Sequence, residues 1–218
     1  MIGYAGSMKS YGQLCSVAKA LDVLGDRWTL LILRELLIQG PCRYTDLANG
    51  LPGIASNLLS DRLRSLETSG LVWREAAPPP VATTLFHLTE RGRAAEPVVV
   101  ALARWGTPLI ADATPDDAIR PHWVPYSASV FLRDHDPDGL PATIQLHTPL
   151  GSSVIEIRTD GVSTRAGTVD NPDITLEGMP QVILRFISGD LTLSESQEQG
   201  LVLRGDPAVL DGFHLGAA

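Results

Sequence analysis

The sequence lacks the residues that build disulfide frameworks, membrane spans and secretion signals. Its 218 residues include two cysteines, Cys15 and Cys42, which are too few for a disulfide framework and show no paired metal-ligand spacing. No apolar run approaches the length of about 18 residues that a membrane span needs. The first ten residues also lack the apolar segment of a signal peptide. These absences predict a cytoplasmic protein that does not bind a membrane.

Motifs of catalysis and metal binding are also missing. The sequence contains no HExxH, Walker, G-x-G-x-x-G or G-x-S-x-G motif, and its five histidines show no paired spacing. The segment Asp134–Gly139 has the pattern of a calcium-loop start, but Gln145 stands where the loop needs a bidentate acid. We therefore expect no enzyme activity, no metal and no cofactor.

The net charge of −8 is distributed unevenly along the chain. Residues 1–112 contain 11 basic and 10 acidic side chains, whereas residues 113–218 contain 6 and 15. Because phosphate repels an acidic surface, only the first part is suited to lie on nucleic acid. A polar stretch around Pro115 separates a mainly helical pattern from short alternating strands. The sequence thus predicts two domains, residues 1–112 and 113–218.

The first domain is expected to be a winged helix-turn-helix. Helices are predicted at residues 16–24, 27–38 (with Asp26 as its N-cap), 44–49, 56–68 and 90–110, and wing strands at residues 71–75 and 84–88. The order helix, helix, turn, helix, wing, helix is typical of that fold.

The helix at residues 56–68 contains the first candidate DNA contacts. Leu59, Leu63 and Leu66 share one face, so Asn57 and Arg64 project from the opposite face together with Asp61. Such a helix fits the major groove, where Asn pairs with adenine and Arg with guanine. A solvated helix face has the same pattern, so periodicity alone leaves both interpretations open.

Four stretches of the first domain resemble the HxlR-type regulators, relatives of the MarR group. They are CSVAKALDVLGDRWTLLILREL from Cys15 to Leu36, YTDL at residues 44–47, LPGIASNLLSDRLRSLETSGLV at residues 51–72 and FHLTERG at residues 86–92. The resemblance implies a homodimer that binds a pseudo-palindromic, double-stranded DNA operator. The candidate DNA-binding residues are Arg43, Tyr44, Ser56, Asn57, Ser60, Arg62, Arg64 and Arg74. Since Ala55 stands where the family usually has a capping serine, Ser56 either caps the helix or contacts DNA.

Two further features bear on assembly and sensing. Val98, Leu102, Trp105 and Leu109 share a face of the predicted last helix, which fits either a dimer interface or packing on the same domain. Cys15 stands where the family usually has a cysteine that senses oxidants or electrophiles in some members. A helix N-terminus would stabilise its thiolate, whereas a half-buried thiol would be inert.

The second domain is expected to be α+β, with helices on one side of an antiparallel sheet. Strands are predicted at residues 142–148, 152–159, 162–168, 174–177 and 201–204, and helices at residues 180–188 and 207–213. The stretches at residues 173–176, 186–191 and 203–206 resemble the end of the sterol-carrier-protein fold, which implies an apolar tunnel. The candidate ligand-binding residues, for which ordinary core packing is the alternative, are Trp123, Phe131, Ile144, Leu146, Leu184 and Phe186.

The leading hypothesis is a transcriptional regulator whose operator affinity responds to an apolar small molecule in the second domain. One alternative is a regulator that senses oxidants or electrophiles through Cys15, with a structural second domain. A third hypothesis is a lipid carrier or enzyme in which the winged helix only mediates assembly.

Overall fold

The computed structural model describes residues 10–76, 83–114, 116–132 and 141–210. Its contacts divide the chain into two compact units, residues 1–99 and 100–218. The domain boundary at residue 112 that the sequence indicates stays a prediction. Within the described residues, no helix combines the length and the apolar character that crossing a bilayer requires.

The first unit is a winged helix-turn-helix. Its elements are α1 (Ser16–Leu24), α2 (Thr29–Gln39), β1 (Cys42–Arg43), α3 (Tyr44–Gly50), α4 (Ser56–Thr68), β2 (Val72–Ala76), β3 (Thr84–Leu88) and α5 (Glu90–Arg93). The strands form an antiparallel sheet in the order β1-β3-β2, so the two-stranded wing predicted from the sequence has a third short strand at its edge.

A buried carboxylate joins the second and third helices of this unit. Glu35 is fully buried on α2, and its side chain accepts hydrogen bonds from Arg34 Nη2 and Gln39 Nε2, both at 2.6 Å. The same Arg34 nitrogen lies 3.3 Å from the carbonyl oxygen of Gly50 at the end of α3. A Cβ at Gly50 would overlap the Glu35 carboxylate, so a larger residue at this position would displace that carboxylate from its hydrogen bonds.

The predicted N-cap of the second helix is wrong. α2 begins at Thr29, and its N-cap residue is Trp28, in the left-handed conformation with φ of 80°. This conformation costs a non-glycine residue about 1–2 kcal/mol. Asp26 does not cap because its carboxylate forms an ion pair with Arg62 instead.

The prediction of one helix over residues 90–110 is also wrong. The segment forms α5, then α6 (Glu96–Gly106), then a 3₁₀ helix (Thr107–Asp112). Pro97 has no N–H to donate and its ring opposes the carbonyl of residue 93, which interrupts an α-helix at this point. Pro108 likewise lies in the first turn of the 3₁₀ helix.

The second unit packs helices on a five-stranded sheet. It begins within α6 and includes the 3₁₀ helix. Its further elements are α7 (Trp123–Leu132), β4 (Ala142–Thr148), β5 (Gly151–Arg158), β6 (Gly161–Ala166), β7 (Ile174–Glu177), α8 (Pro180–Ile187), α9 (Leu193–Glu198), β8 (Val202–Gly205) and a 3₁₀ turn (Pro207–Leu210). The strand order is β6-β5-β4-β7-β8. The five strands lie within two residues of their predicted bounds, whereas the sequence did not reveal α7 and α9.

The expected all-antiparallel sheet is wrong for one pair, because β4 and β7 are parallel. After β6 the chain returns through residues 167–173 and enters the sheet on the far side of β4. Gln145, buried on β4, fixes this return: its Nε2 donates to the carbonyl oxygens of Ser153 (3.0 Å) and Gly167 (3.3 Å). Its Oε1 accepts from the N–H of Val169 at 3.0 Å.

Replacing Gln145 with leucine should destabilise the second unit. The substitution leaves the carbonyl of Gly167 and the N–H of Val169 without these partners beside a buried side chain, at a cost of about 1–3 kcal/mol. Urea unfolding followed by circular dichroism measures the change. Gln181→Leu on the exposed side of α8 is the matched control, with an expected change within about 0.5 kcal/mol. Equal stability of the two variants would contradict the role of Gln145.

Candidate nucleic-acid interface

α4 has one buried face and one polar, exposed face. Leu59, Leu63 and Leu66 are buried in the core of the first unit. Asn57 and Arg64 are exposed, and the guanidinium of Arg64 lies 2.9 Å from the Asp61 carboxylate, one helical turn away. The side chain of Arg64 is 71% exposed although it forms this ion pair, so it is accessible to an approaching ligand.

The start of α4 is held by α3 rather than by a capping side chain. The N-cap residue is Ala55 and no side chain caps the helix, so of the two alternatives for Ser56 the capping role is wrong. The Tyr44 hydroxyl on α3 donates to the Ser56 carbonyl oxygen at 2.7 Å. The Ser60 hydroxyl lies 3.0 Å from the same carbonyl and 3.4 Å from the Tyr44 oxygen. Tyr44 and Ser60 therefore fix the first turn of α4.

The four candidate arginines occupy different settings. Arg43 is exposed where β1 meets α3, and Arg74 is exposed on β2, 3.2 Å from the Glu67 carboxylate. Arg64 projects from the exposed face of α4. Arg62 differs because it forms an ion pair with Asp26 at 2.6 Å and its side chain is only 21% exposed. Arg62 therefore contacts the turn between α1 and α2, whereas the side chains of the other three arginines are exposed to solvent.

Comparison with known proteins identifies this architecture. Residues 23–113 match the sequence model of the HxlR-like helix-turn-helix family. An uncharacterized HTH-type transcriptional regulator of Synechocystis is 36% identical over 96 residues, 44% of this chain and 70% of that protein. The chain belongs to the HxlR-like family. The HTH-type regulator YvaP of Bacillus subtilis is 35% identical over 92 residues, which cover 42% of this chain and 84% of YvaP.

A solved structure described as the redox regulator HypR in its reduced form is 33% identical, with a TM-score of 0.39; the match covers 42% of this chain and 90% of that one. Family membership makes this HxlR-like protein a transcriptional regulator with a DNA-binding helix-turn-helix. The family match ends at residue 113, so the sterol-carrier-like character of the second unit stays a prediction.

Two helices of this HxlR-like protein expose apolar side chains. On α6, the exposed fraction is 43% for Val98, 48% for Leu102 and 75% for Trp105. Leu109 is exposed as well, but it lies in the 3₁₀ helix and therefore departs from the α-helical stripe. Val17 and Leu21 on α1 are also exposed, a second apolar surface that the sequence analysis missed. Their spacing of four residues was the available signal.

The two cysteines have opposite environments. Cys15 is exposed at the N-cap position of α1, where the backbone N–H groups of Ala18 and Val17 stabilise the thiolate and lower the pKa of Cys15. Cys42 is buried, and its thiol lies 3.3 Å from the Gly40 carbonyl oxygen. Burial, with a smaller contribution from Asp46, raises the pKa of Cys42 to about 12. Only Cys15 has the setting of a reactive thiol.

Five of the six candidate ligand-binding residues, all except Trp123, lie in or beside the core of the second unit. Ile144, Leu146, Leu184 and Phe186 are buried there, whereas Trp123 and Phe131 on α7 are half-buried. A cavity of about 240 Å³ lies instead in the first unit, with Leu37, His87 and Arg93 in its lining. The segment Asp134–Gly139 falls outside the described residues, and the described residues contain no cluster that could hold a metal ion.

Cys15 should react with alkylating agents much faster than Cys42 in the native protein. Since the pKa of Cys15 is lowered, its alkylation rate should rise to its plateau at a lower pH than that of an unstructured thiol peptide. Iodoacetamide labelling across a pH series, read by mass spectrometry, measures both sites. Cys15→Ser should abolish the fast reaction and Cys42→Ser should preserve it. A midpoint for Cys15 at or above that of the peptide would contradict the assignment.

Proposed function

We propose that this regulator binds a pseudo-palindromic operator as a homodimer, with α4 of each subunit in a major groove. The exposed polar face of α4 carries the proposal. Asn57 and Arg64 project from the side opposite the three buried leucines, and both side chains are suited to hydrogen-bond base edges. Tyr44 fixes the first turn of the helix, which is the part that reaches base edges in a helix-turn-helix.

The proposal also includes phosphate contacts and a dimer interface, which are supported by the charge and the exposure of particular side chains. Arg43 and Arg74 are exposed in the nearly neutral first part of the chain and supply phosphate contacts. No lysine or arginine occurs between Arg74 and Arg91, so the wing contributes little counterion release. The exposed stripe of Val98, Leu102 and Trp105 is the proposed dimer interface, since burying it against a second copy removes apolar surface from water.

Replacing Asn57 or Arg64 with alanine should weaken operator binding by about 1–3 kcal/mol each, the usual value of one good base contact. Fluorescence anisotropy with DNA from upstream of the protein's own gene, across a salt series, measures the effect. Arg204→Ala is a matched control: Arg204 is 72% exposed and pairs with a carboxylate, as Arg64 does, but it lies in the acidic second unit. Unchanged function in both α4 variants would instead favour the lipid carrier or enzyme.

We further propose that an apolar small molecule bound in the second unit modulates operator affinity. The apolar core between the sheet and α7 and α8, with the half-buried Phe131 packed against it, supports this. The ligand must prefer one state of the dimer, because equal affinity for both states shifts no equilibrium.

A second candidate is a regulator that responds to oxidants or electrophiles through Cys15. The exposed position of Cys15 and its lowered pKa favour this function specifically. In this case the second unit is structural.

One set of titrations separates these two inputs. Operator affinity is measured after the addition of palmitate and, separately, of the thiol oxidant diamide. An apolar effector site predicts that palmitate changes the affinity of both the native protein and Cys15→Ser, and that Trp123→Ala weakens the effect. A Cys15 sensor predicts that diamide acts on the native protein and on Cys42→Ser, but not on Cys15→Ser. An affinity that responds to neither reagent contradicts both proposals.

A further inference from the structure

The turn between α1 and α2 holds a strained backbone without a capping side chain of its own. Trp28, at its end, has a φ of 80°, and no side chain caps the N-terminus of α2. The turn has a backbone hydrogen bond of its own, from the Thr29 N–H to the Asp26 carbonyl oxygen at 3.1 Å, and two side-chain hydrogen bonds reach it from α4. Arg62 Nη1 lies 2.6 Å from the Asp26 carboxylate, and Arg62 Nε donates to the Arg27 carbonyl oxygen at 3.3 Å. One α4 side chain thus bonds two consecutive residues of the turn.

The position of Arg62 on the helix accounts for this contact. Successive residues of an α-helix are rotated by about 100°, so Arg62 lies on the flank of α4, away from Asp61 and the exposed face. Its side chain is 21% exposed, compared with 71% for Arg64. Both cationic contacts of Arg62 are therefore directed towards the protein rather than towards a groove of DNA.

We propose that Arg62 is a positioning residue, which sets the rotation of α4 through Asp26, and that it does not bind phosphate. The proposal rests on the function proposed above, in which α4 reads DNA. The three buried leucines set the depth of the helix, and Tyr44 fixes its first turn. Arg62 adds a polar contact on the flank half-way along, which opposes rotation about the helix axis. Such rotation would break base contacts, because the side chains that form them must lie within about 0.5 Å of their productive positions.

The proposal predicts an effect opposite in sign to that of simple electrostatics. Asp26 is a negative charge in the DNA-binding unit, so its neutralisation should increase DNA affinity if charge alone acts. If the ion pair between Asp26 and Arg62 fixes the rotation of α4, neutralising Asp26 should decrease operator affinity instead. The second ion pair on the same helix, Asp61 with Arg64, serves as the comparison because both of its residues belong to α4 and their side chains are 58% and 71% exposed.

The test compares Asp26→Asn, Arg62→Gln, their double variant and the control Asp61→Asn. Affinities for operator and for non-specific DNA are measured across a salt series. We expect Asp26→Asn and Arg62→Gln each to lower operator affinity about tenfold, the size of one lost base contact. Non-specific affinity should follow charge alone, rising slightly in Asp26→Asn and falling slightly in Arg62→Gln, with an unchanged salt slope. The double variant should bind operator no more weakly than the single ones, since both remove one contact. Asp61→Asn should leave operator affinity equal or higher.

Two results would overturn the proposal. A salt slope reduced by about 0.9 in Arg62→Gln, with higher affinity in Asp26→Asn, would make Arg62 a phosphate ligand. A loss of binding that follows only the unfolded fraction in thermal melts, with native affinity in the folded fraction, would make the pair merely stabilising.

Hydrogen exchange of the free protein separates this proposal from the function on which it rests. Asp26→Asn should increase amide exchange at residues 26–29 and along α4, while Asp61→Asn should not. If the native protein binds no operator, the proposed function fails, and this measurement still decides the role of Arg62. Unchanged exchange in Asp26→Asn would overturn the positioning role.

Discussion

The DNA-binding unit depends on the burial of one face of α4, because the same three leucines complete the core and determine which side chains remain outside. Leu59, Leu63 and Leu66 meet the buried residues of α2 and α3. α3 is in turn fixed by the approach of Gly50 to the buried Glu35 carboxylate. A polar side chain at any of the three leucine positions would be buried without a hydrogen-bond partner. It would also shift α4 and thereby the side chains on the exposed face of the helix. Stability and the proposed DNA recognition therefore share one structural constraint.

Charge in the first unit serves two distinct purposes that net charge does not distinguish. Three arginines have exposed side chains: Arg43, Arg64 and Arg74. Two others, Arg34 and Arg62, form ion pairs with carboxylates and are only 21% exposed. The guanidinium of Arg62 already forms an ion pair with Asp26 in the free protein, so a DNA phosphate would have to compete with that carboxylate. A count of basic residues thus overstates the phosphate contacts that this nearly neutral unit offers.

Local patterns were sufficient to predict most elements but not the contacts between distant segments. α1 and α4 were predicted at their observed bounds because their apolar residues repeat with helical spacing. α7 was missed because seven of its ten residues are buried, which removes the amphipathic signal. The break between α5 and α6 could have been predicted from Pro97. The parallel pairing of β4 with β7 could not, since it depends on the contacts of the buried Gln145 with Gly167 and Val169, which are 22 and 24 positions away.

The same limit applies to the candidate site. Sequence periodicity placed Asn57 and Arg64 correctly on the outer face of α4. Arg62 became a candidate DNA contact only as one of four arginines in the first domain, and the sequence did not reveal its ion pair with Asp26. The partner of Arg62 is 36 residues distant, in a turn whose left-handed Trp28 no local rule predicts. α1 connects this turn to Cys15, since the helix begins directly after the thiol and ends directly before the turn. The proposed sensor residue and the proposed positioning contact therefore lie at opposite ends of one helix of nine residues.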